Sequence, residues 1–101
     1  KVSGHDLELE LPISPWEAAL GAEVEIPTLD SRVAMRIPAG ASSGTRLRLS
    51  GKGLPRPREG AGDLYARLVI VVPGSVSERE RALYEELKSA SRFDPRARFR
   101  R

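Results

Sequence analysis

Alternation of apolar and polar residues recurs along this chain with a period of two, and no other feature restricts its fold as much. In DLELELPIS, Leu7, Leu9 and Leu11 fall on one side and Glu8 and Glu10 on the other, the pattern of a half-buried strand that Pro12 is expected to end. AEVEIPTLDSRVAMRIP alternates on both sides of a turn at Asp30-Ser31, residue types whose side chains bond nearby backbone in turns. With that dipeptide as a two-residue hairpin loop, Glu25 lies opposite Arg36, Ile26 opposite Met35 and Val24 opposite Ile37, so charges match and apolar residues share a face. TRLRLSG resumes the alternation with Leu47 and Leu49 against Arg46 and Arg48. DLYARLVIVV, residues 63 to 72, starts alternating and becomes apolar on both faces, as expected of a central strand whose second half is covered on both sides.

Two segments carry the start signals of helices. SPWEAALG places Ser14 as N-cap, Pro15 at the first helical position and Glu17 as the third residue of a capping box, with Gly21 as the stop. The spacing predicts one short helix of about two turns. After the break at Pro73-Gly74, Ser77 and Glu80 form a second capping box ahead of a helix of about four turns. Leu83, Leu87 and Ala90 recur at i, i+4 and i+7 beside Tyr84, and this narrow stripe needs something to dock on.

A chain of 101 residues fits one domain, or one domain with an appended element, around a modest core. Its longest apolar run, LVIVV, falls far short of the roughly 20 residues of a membrane span. The start at Lys-Val-Ser, without an initiator Met or a leader, reads as a piece of a longer protein. Without cysteine there is no disulfide framework, thiol nucleophile or cysteine-based zinc site, and a cytoplasmic location is favoured. Arg92, Arg96, Arg98, Arg100 and Arg101 face only Asp94 in the last ten residues, leaving 12 of 17 basic and 13 of 14 acidic groups to the rest. The body is near neutral and the basicity is a tail.

The stretch SGKGLPRPREGAGD raises the question of a phosphate cradle. Lys52 is followed by Gly53 and Leu54-Pro55, not by Ser or Thr at the start of a helix, so the anion-binding geometry of a P-loop is missing and a strand connection is expected. The only histidine, His5, has no nucleophile to activate, and Glu85 and Glu86 are adjacent on a helix where neighbours do not face each other. No catalytic or metal-ligating set is expected. The arginines of the tail, with Arg56 and Arg58, lack the interleaved aromatics of a base-stacking surface, so nucleic acid is not the expected partner. What remains is surface for protein contact. The row Leu7, Leu9, Leu11, Val24 and Ile26 packs as core or, beside a free strand edge, accepts an extended apolar peptide.

Taken in order, LPISPWEAALGAEVEIPTLDSRVAMRIPAG, SGTRLRLSGKGLP and GDLYARLVIVVP followed by a helix resemble the second C-terminal domain of a DnaJ-type J-domain co-chaperone. The resemblance spans roughly residues 5 to 90. It implies a mainly β fold of two small layered antiparallel sheets with one short helix and a C-terminal dimerisation helix. The implied organisation is a β domain over residues 1–74, the dimerisation helix over 75–91 and a basic, flexible tail over 92–101. It also implies chaperone work without catalysis and without a cofactor in this segment: binding of unfolded or apolar client polypeptides, homodimerisation, and delivery of clients to a DnaK-type ATP-driven partner through the full-length parent. The family's client groove maps onto Leu9, Leu11, Val24 and Ile26. Its dimer interface maps onto Leu83, Tyr84 and Leu87, with Ala90 and Phe93 at the margin. Two other readings stay open, a purely structural dimerisation domain and an anion or nucleic-acid contact through the arginine tail.

Overall fold

The computed structural model describes residues 2–4, 6–28, 31–53, 55–56 and 60–100. Its principal sheet is four-stranded with the order β1-β2-β8-β5, formed by β1 (Val2–Ser3), β2 (Asp6–Ile13), β8 (Leu64–Ile70) and β5 (Arg46–Leu49). Between β2 and β5 run α1 (Pro15–Leu20) and a hairpin of β3 (Ala22–Pro27) and β4 (Arg32–Ile37). A small ribbon of β6 (Pro55–Arg56) and β7 (Gly60–Ala61) precedes β8, and α2 (Glu78–Ala90) and a short 3-10 turn (Ala97–Phe99) follow it. The other ladders are antiparallel, but β2 and β8 run parallel, which the long excursion between them allows.

The period of two sorts β2, β8 and β5. Parallel register sets Leu7, Leu9, Leu11 and Ile13 beside Leu64, Ala66, Leu68 and Ile70 on one face, and Glu8 and Glu10 beside Tyr65 and Arg67 on the other. The hairpin lies over the apolar face. Ile26 and Met35 pack with Leu64 and Ala66, while Ile37, Ile13, Leu68 and Ala18 of α1 form the adjoining half of the core. Ile26, Ile37 and Leu68 are completely enclosed, each worth about 1.5–3 kcal/mol of burial.

Strand β2 runs through Pro12 to Ile13 instead of ending at the proline. The N–H of Leu7 donates to Asp63 and that of Val71 to Ile13, so the odd residues of β2 bond to β8 and the even ones face away. Pro12 therefore forfeits no ladder bond, as an edge position permits. The far end of β8 also departs from expectation: the strand stops at Ile70, and Val71 and Val72 are exposed where the chain leaves the sheet.

The hairpin register is offset by two from the expected one, with Val24 opposite Met35, Ile26 opposite Val33 and Glu23 opposite Arg36. The cause is the Thr28 side chain. The Ser31 N–H donates to Thr28 Oγ1 at 3.2 Å and the Thr28 N–H to the Ser31 carbonyl at 2.7 Å, which closes a longer loop after Pro27. Leu29 and Asp30 lie outside the described residues. An offset of two leaves each side chain on its face, so the core is unchanged. Glu25 now stands opposite Ala34 and reaches Arg32 at 3.7 Å.

Both capping boxes form. The Ser14 hydroxyl accepts from the Glu17 N–H and Glu17 accepts from the Ser14 N–H, and Ser77 with Glu80 repeats the arrangement. Gly21 ends α1 at φ 81°, and a Cβ there would lie 3.0 Å from the Ile37 carbonyl oxygen. Helix α2 buries none of its residues. The Cα radius of gyration is 17.5 Å, against about 13 Å for a compact chain of this size, because α2 and the tail stand off the β body.

Candidate protein-interaction surfaces

The first surface is the outer edge of β2. Among the described residues β1 pairs with it only at Asp6 and Leu7, so beyond Glu8 the backbone groups of Glu10 and the Pro12 carbonyl point off the sheet. Leu9, Leu11 and Val24 are half-buried behind this edge, whereas Ile26 is 0 % exposed. All four belong to one cluster, so the fold brings together the residues expected at a client groove. Ile26 stands beneath the other three.

On the opposite face of the sheet β2, β8 and β5 contribute to a charge ladder. Arg46 reaches Glu8 at 3.3 Å and lies 4.3 Å over the Tyr65 ring, Arg67 pairs with Glu10, and Arg48 meets Asp63 at 2.7 Å. These arginines are committed to carboxylates of their own sheet. The Asp63 carboxylate also accepts from the Gly51 N–H at 3.0 Å, and the Gly53 N–H donates to the Gly62 carbonyl. The glycine-rich segment is thus folded back on itself as a strand connection. His5, Arg58 and the Arg56 side chain lie outside the described residues.

The second surface is the apolar stripe of α2. Leu83 is 45 %, Leu87 61 % and Phe93 81 % exposed, and Ala90 is exposed too. Leu83, Tyr84 and Leu87 do not face open solvent alone: with Glu80 and Trp16 of α1 they line a notch of about 300 Å³. Ala90 and Phe93 fall outside it. The Tyr84 hydroxyl is buried with no hydrogen-bond partner among the described residues. At the rim, the Ser77 N–H and then the Ser77 hydroxyl hold the Glu80 carboxyl below the usual carboxylate range.

Trp16 escaped the sequence reading. It is 50 % exposed, and a helix of six residues is too short for periodicity to show which side faces out. Its signal was its rarity, as the sole tryptophan set directly after the Ser14-Pro15 helix start.

In the tail, Asp94 accepts from the Arg96 N–H and pairs with Arg100 at 3.1 Å, organising the turn at Ala97–Phe99. Arg92, Arg96 and Arg98 have no carboxylate partner among the described residues, and Arg98 lies over the Phe99 ring at 5.1 Å. No group of His, Cys, Asp or Glu able to hold a metal occurs among the described residues, and no helix there is long and apolar enough to cross a membrane.

Comparison with known proteins adds two findings. The model of the family described as "DnaJ C terminal domain" matches residues 1–73. The chain is 46 % identical over 100 residues to a protein of Pseudomonas syringae pv. tomato named "Curved DNA-binding protein", covering 99 % of this chain and 32 % of the relative. Proteins of the same name from Serratia proteamaculans and Escherichia coli are 48 % and 50 % identical over 96 residues, covering 94 % of this chain and 31 % of each relative. The chain thus spans less than a third of the length of these relatives.

Proposed function

The chain belongs to the DnaJ C-terminal domain family, a non-enzymatic family, and from that premise we propose that it is the client-binding and homodimerising module of a cytoplasmic J-domain co-chaperone. The parent would present non-native polypeptides to a DnaK-type ATP-driven chaperone. The observation that carries this reading is the open edge of β2 beside the half-buried Leu9, Leu11 and Val24. An extended client segment adds as a further strand, its backbone meeting the off-sheet groups of Glu10 and the Pro12 carbonyl. Its apolar side chains then fall over Leu9, Leu11 and Val24, with Ile26 holding that floor rigid from below. Burial at about 25 cal/mol per Å², less the cost of ordering the segment, makes one such contact weak. Two linked protomers raise the effective concentration of the second contact and offset that weakness.

An NMR titration with an unfolded apolar polypeptide tests this. Shifts are expected at the amide of Glu10 and the methyls of Leu9, Leu11 and Val24. Their absence would leave a structural dimerisation domain.

A second reading draws on the relatives' name and on Arg92, Arg96 and Arg98, which lack carboxylate partners among the described residues. The tail contacts nucleic acid through phosphates, a sequence-independent attraction. Each phosphate contact contributes about −0.9 to the slope of log affinity against log salt on duplex DNA. Deleting residues 92–101 should flatten that slope, and an unchanged slope rejects the tail as the contact.

A further inference from the structure

We propose that the notch between Trp16 and α2 receives the apolar stripe of a second copy's α2, so that dimerisation also fixes the angle between helix and β body. This rests on the homodimer reading and names the residue by which the β body takes part. Three observations carry it. The concave element, walled by Trp16, Tyr84 and Leu87, and the convex one, the exposed Leu83–Leu87 ridge, lie on the same patch. A two-fold pair needs that kind of self-complementarity, since each patch must meet its own copy.

Second, the area suffices. With aromatic side chains offering about 150–250 Å² each, the exposed parts of Trp16, Leu83 and Leu87, together with Phe93 outside the notch, supply roughly 500 Å² per copy. Two copies remove about 1,000 Å², the scale at which a specific interface begins. Third, the monomer leaves this spot unfinished: α2 buries none of its residues, and the Tyr84 hydroxyl has no partner among the described residues. Residues 71–76, exposed throughout and containing Pro73-Gly74, join α2 to the sheet, so Trp16 is where a partner helix can brace this joint.

Trp16 is the chain's only tryptophan, so its fluorescence reports on the notch alone. Sedimentation equilibrium and tryptophan emission are followed over one dilution series of the full chain, with Trp16→Ala sedimented alongside. The expected result is an emission maximum that moves to the red as dimer becomes monomer, and a dissociation constant for Trp16→Ala raised on the order of thirtyfold, as for a buried aromatic anchor. A dimer whose emission ignores dilution and whose affinity ignores Trp16→Ala overturns the notch and leaves dimerisation standing. A wild-type chain that stays monomeric throughout overturns both. A blue shift produced by an apolar client peptide on the monomer assigns the notch to clients and also overturns the proposal. If Trp16→Ala fails to fold, the emission of the wild type still decides.

Discussion

Arg48 and Asp63 meet at 2.7 Å across the outer face of the sheet, fifteen residues apart in sequence, and the same carboxylate takes the Gly51 N–H at 3.0 Å. One side chain therefore closes the long connection between β5 and β8 and ties it to β5. The Asp63 side chain is mostly enclosed whereas Arg48 is largely exposed, so water screens the ion pair from the Arg48 side. Asp63→Ala should cost about 1–3 kcal/mol, the range for removing a charged hydrogen-bond partner, and Asp63→Asn less, because it keeps an acceptor for Gly51. Urea unfolding of both variants checks this, and equal losses would show that the amide bond contributes nothing.

Gly21 offers a sharper test of local geometry. At φ 81° and ψ 158° it occupies a region essentially restricted to glycine, and a Cβ would meet the Ile37 carbonyl at 3.0 Å and the Ala39 nitrogen at 3.1 Å. Both neighbours are backbone, so neither can swing aside. Gly21→Ala should destabilise the chain by about 1–3 kcal/mol from strain, with the close contacts adding to it. Gly40 also has positive φ but open space around it, so Gly40→Ala should cost less. Thermal melts of the two variants rank these expectations.

What could be read from sequence was what is local. Ser14 with Glu17 and Ser77 with Glu80 declare their helices because the capping bonds span three residues. The alternation of Leu7, Leu9 and Leu11 declares a half-buried strand, and the family order of motifs pointed to the fold. Three features were out of reach because their causes are distant or side-chain specific. Pro12 stays in its strand because β8, more than fifty residues on, takes the other side of β2. The hairpin slips by two because the Thr28 side chain, bonded to Ser31, closes it. Trp16 and Tyr84 line one notch although they lie about two thirds of the chain apart, and no short window of sequence contains both.

Glu80 gives a pH dependence whose sign follows from its partner. Its folded-state value lies below the ordinary one, so the stabilisation is present above the unfolded-chain value of about 4.3 and is lost as pH falls through the folded value. Acidification should therefore loosen the first turn of α2. In NMR, the Glu80 carboxyl should titrate below the ordinary carboxylate range, and Ser77→Ala should move its midpoint part of the way back, since the Ser77 N–H remains a donor. A midpoint indifferent to Ser77→Ala would mean the hydroxyl has no part in the shift.

The contrast between Ile26 and Leu9 separates folding from binding within one cluster. Ile26 is fully enclosed between hairpin and sheet, so Ile26→Ala should cost about 2–5 kcal/mol. Leu9 is half-buried behind the open edge, and Leu9→Ser should cost less stability while lowering affinity for an apolar polypeptide. Denaturant melts paired with peptide titrations test this. A Leu9→Ser chain that binds as well as the wild type would argue that the cluster is core alone.

Leu83 and Leu87 are exposed in the monomer, which makes them informative substitutions. Placing charge at either position disturbs no packed core, so Leu83→Asp with Leu87→Asp should leave the melting of the β body within about 0.5 kcal/mol of wild type, as for surface changes. The same pair puts two carboxylates per copy into an apolar contact, and burying unpaired charge is costly enough to prevent association. Light scattering should then give the monomer mass at concentrations where the wild type is dimeric. A dimer mass retained by the double variant would remove the α2 stripe from the interface and move attention to β5, the other edge strand of the sheet among the described residues.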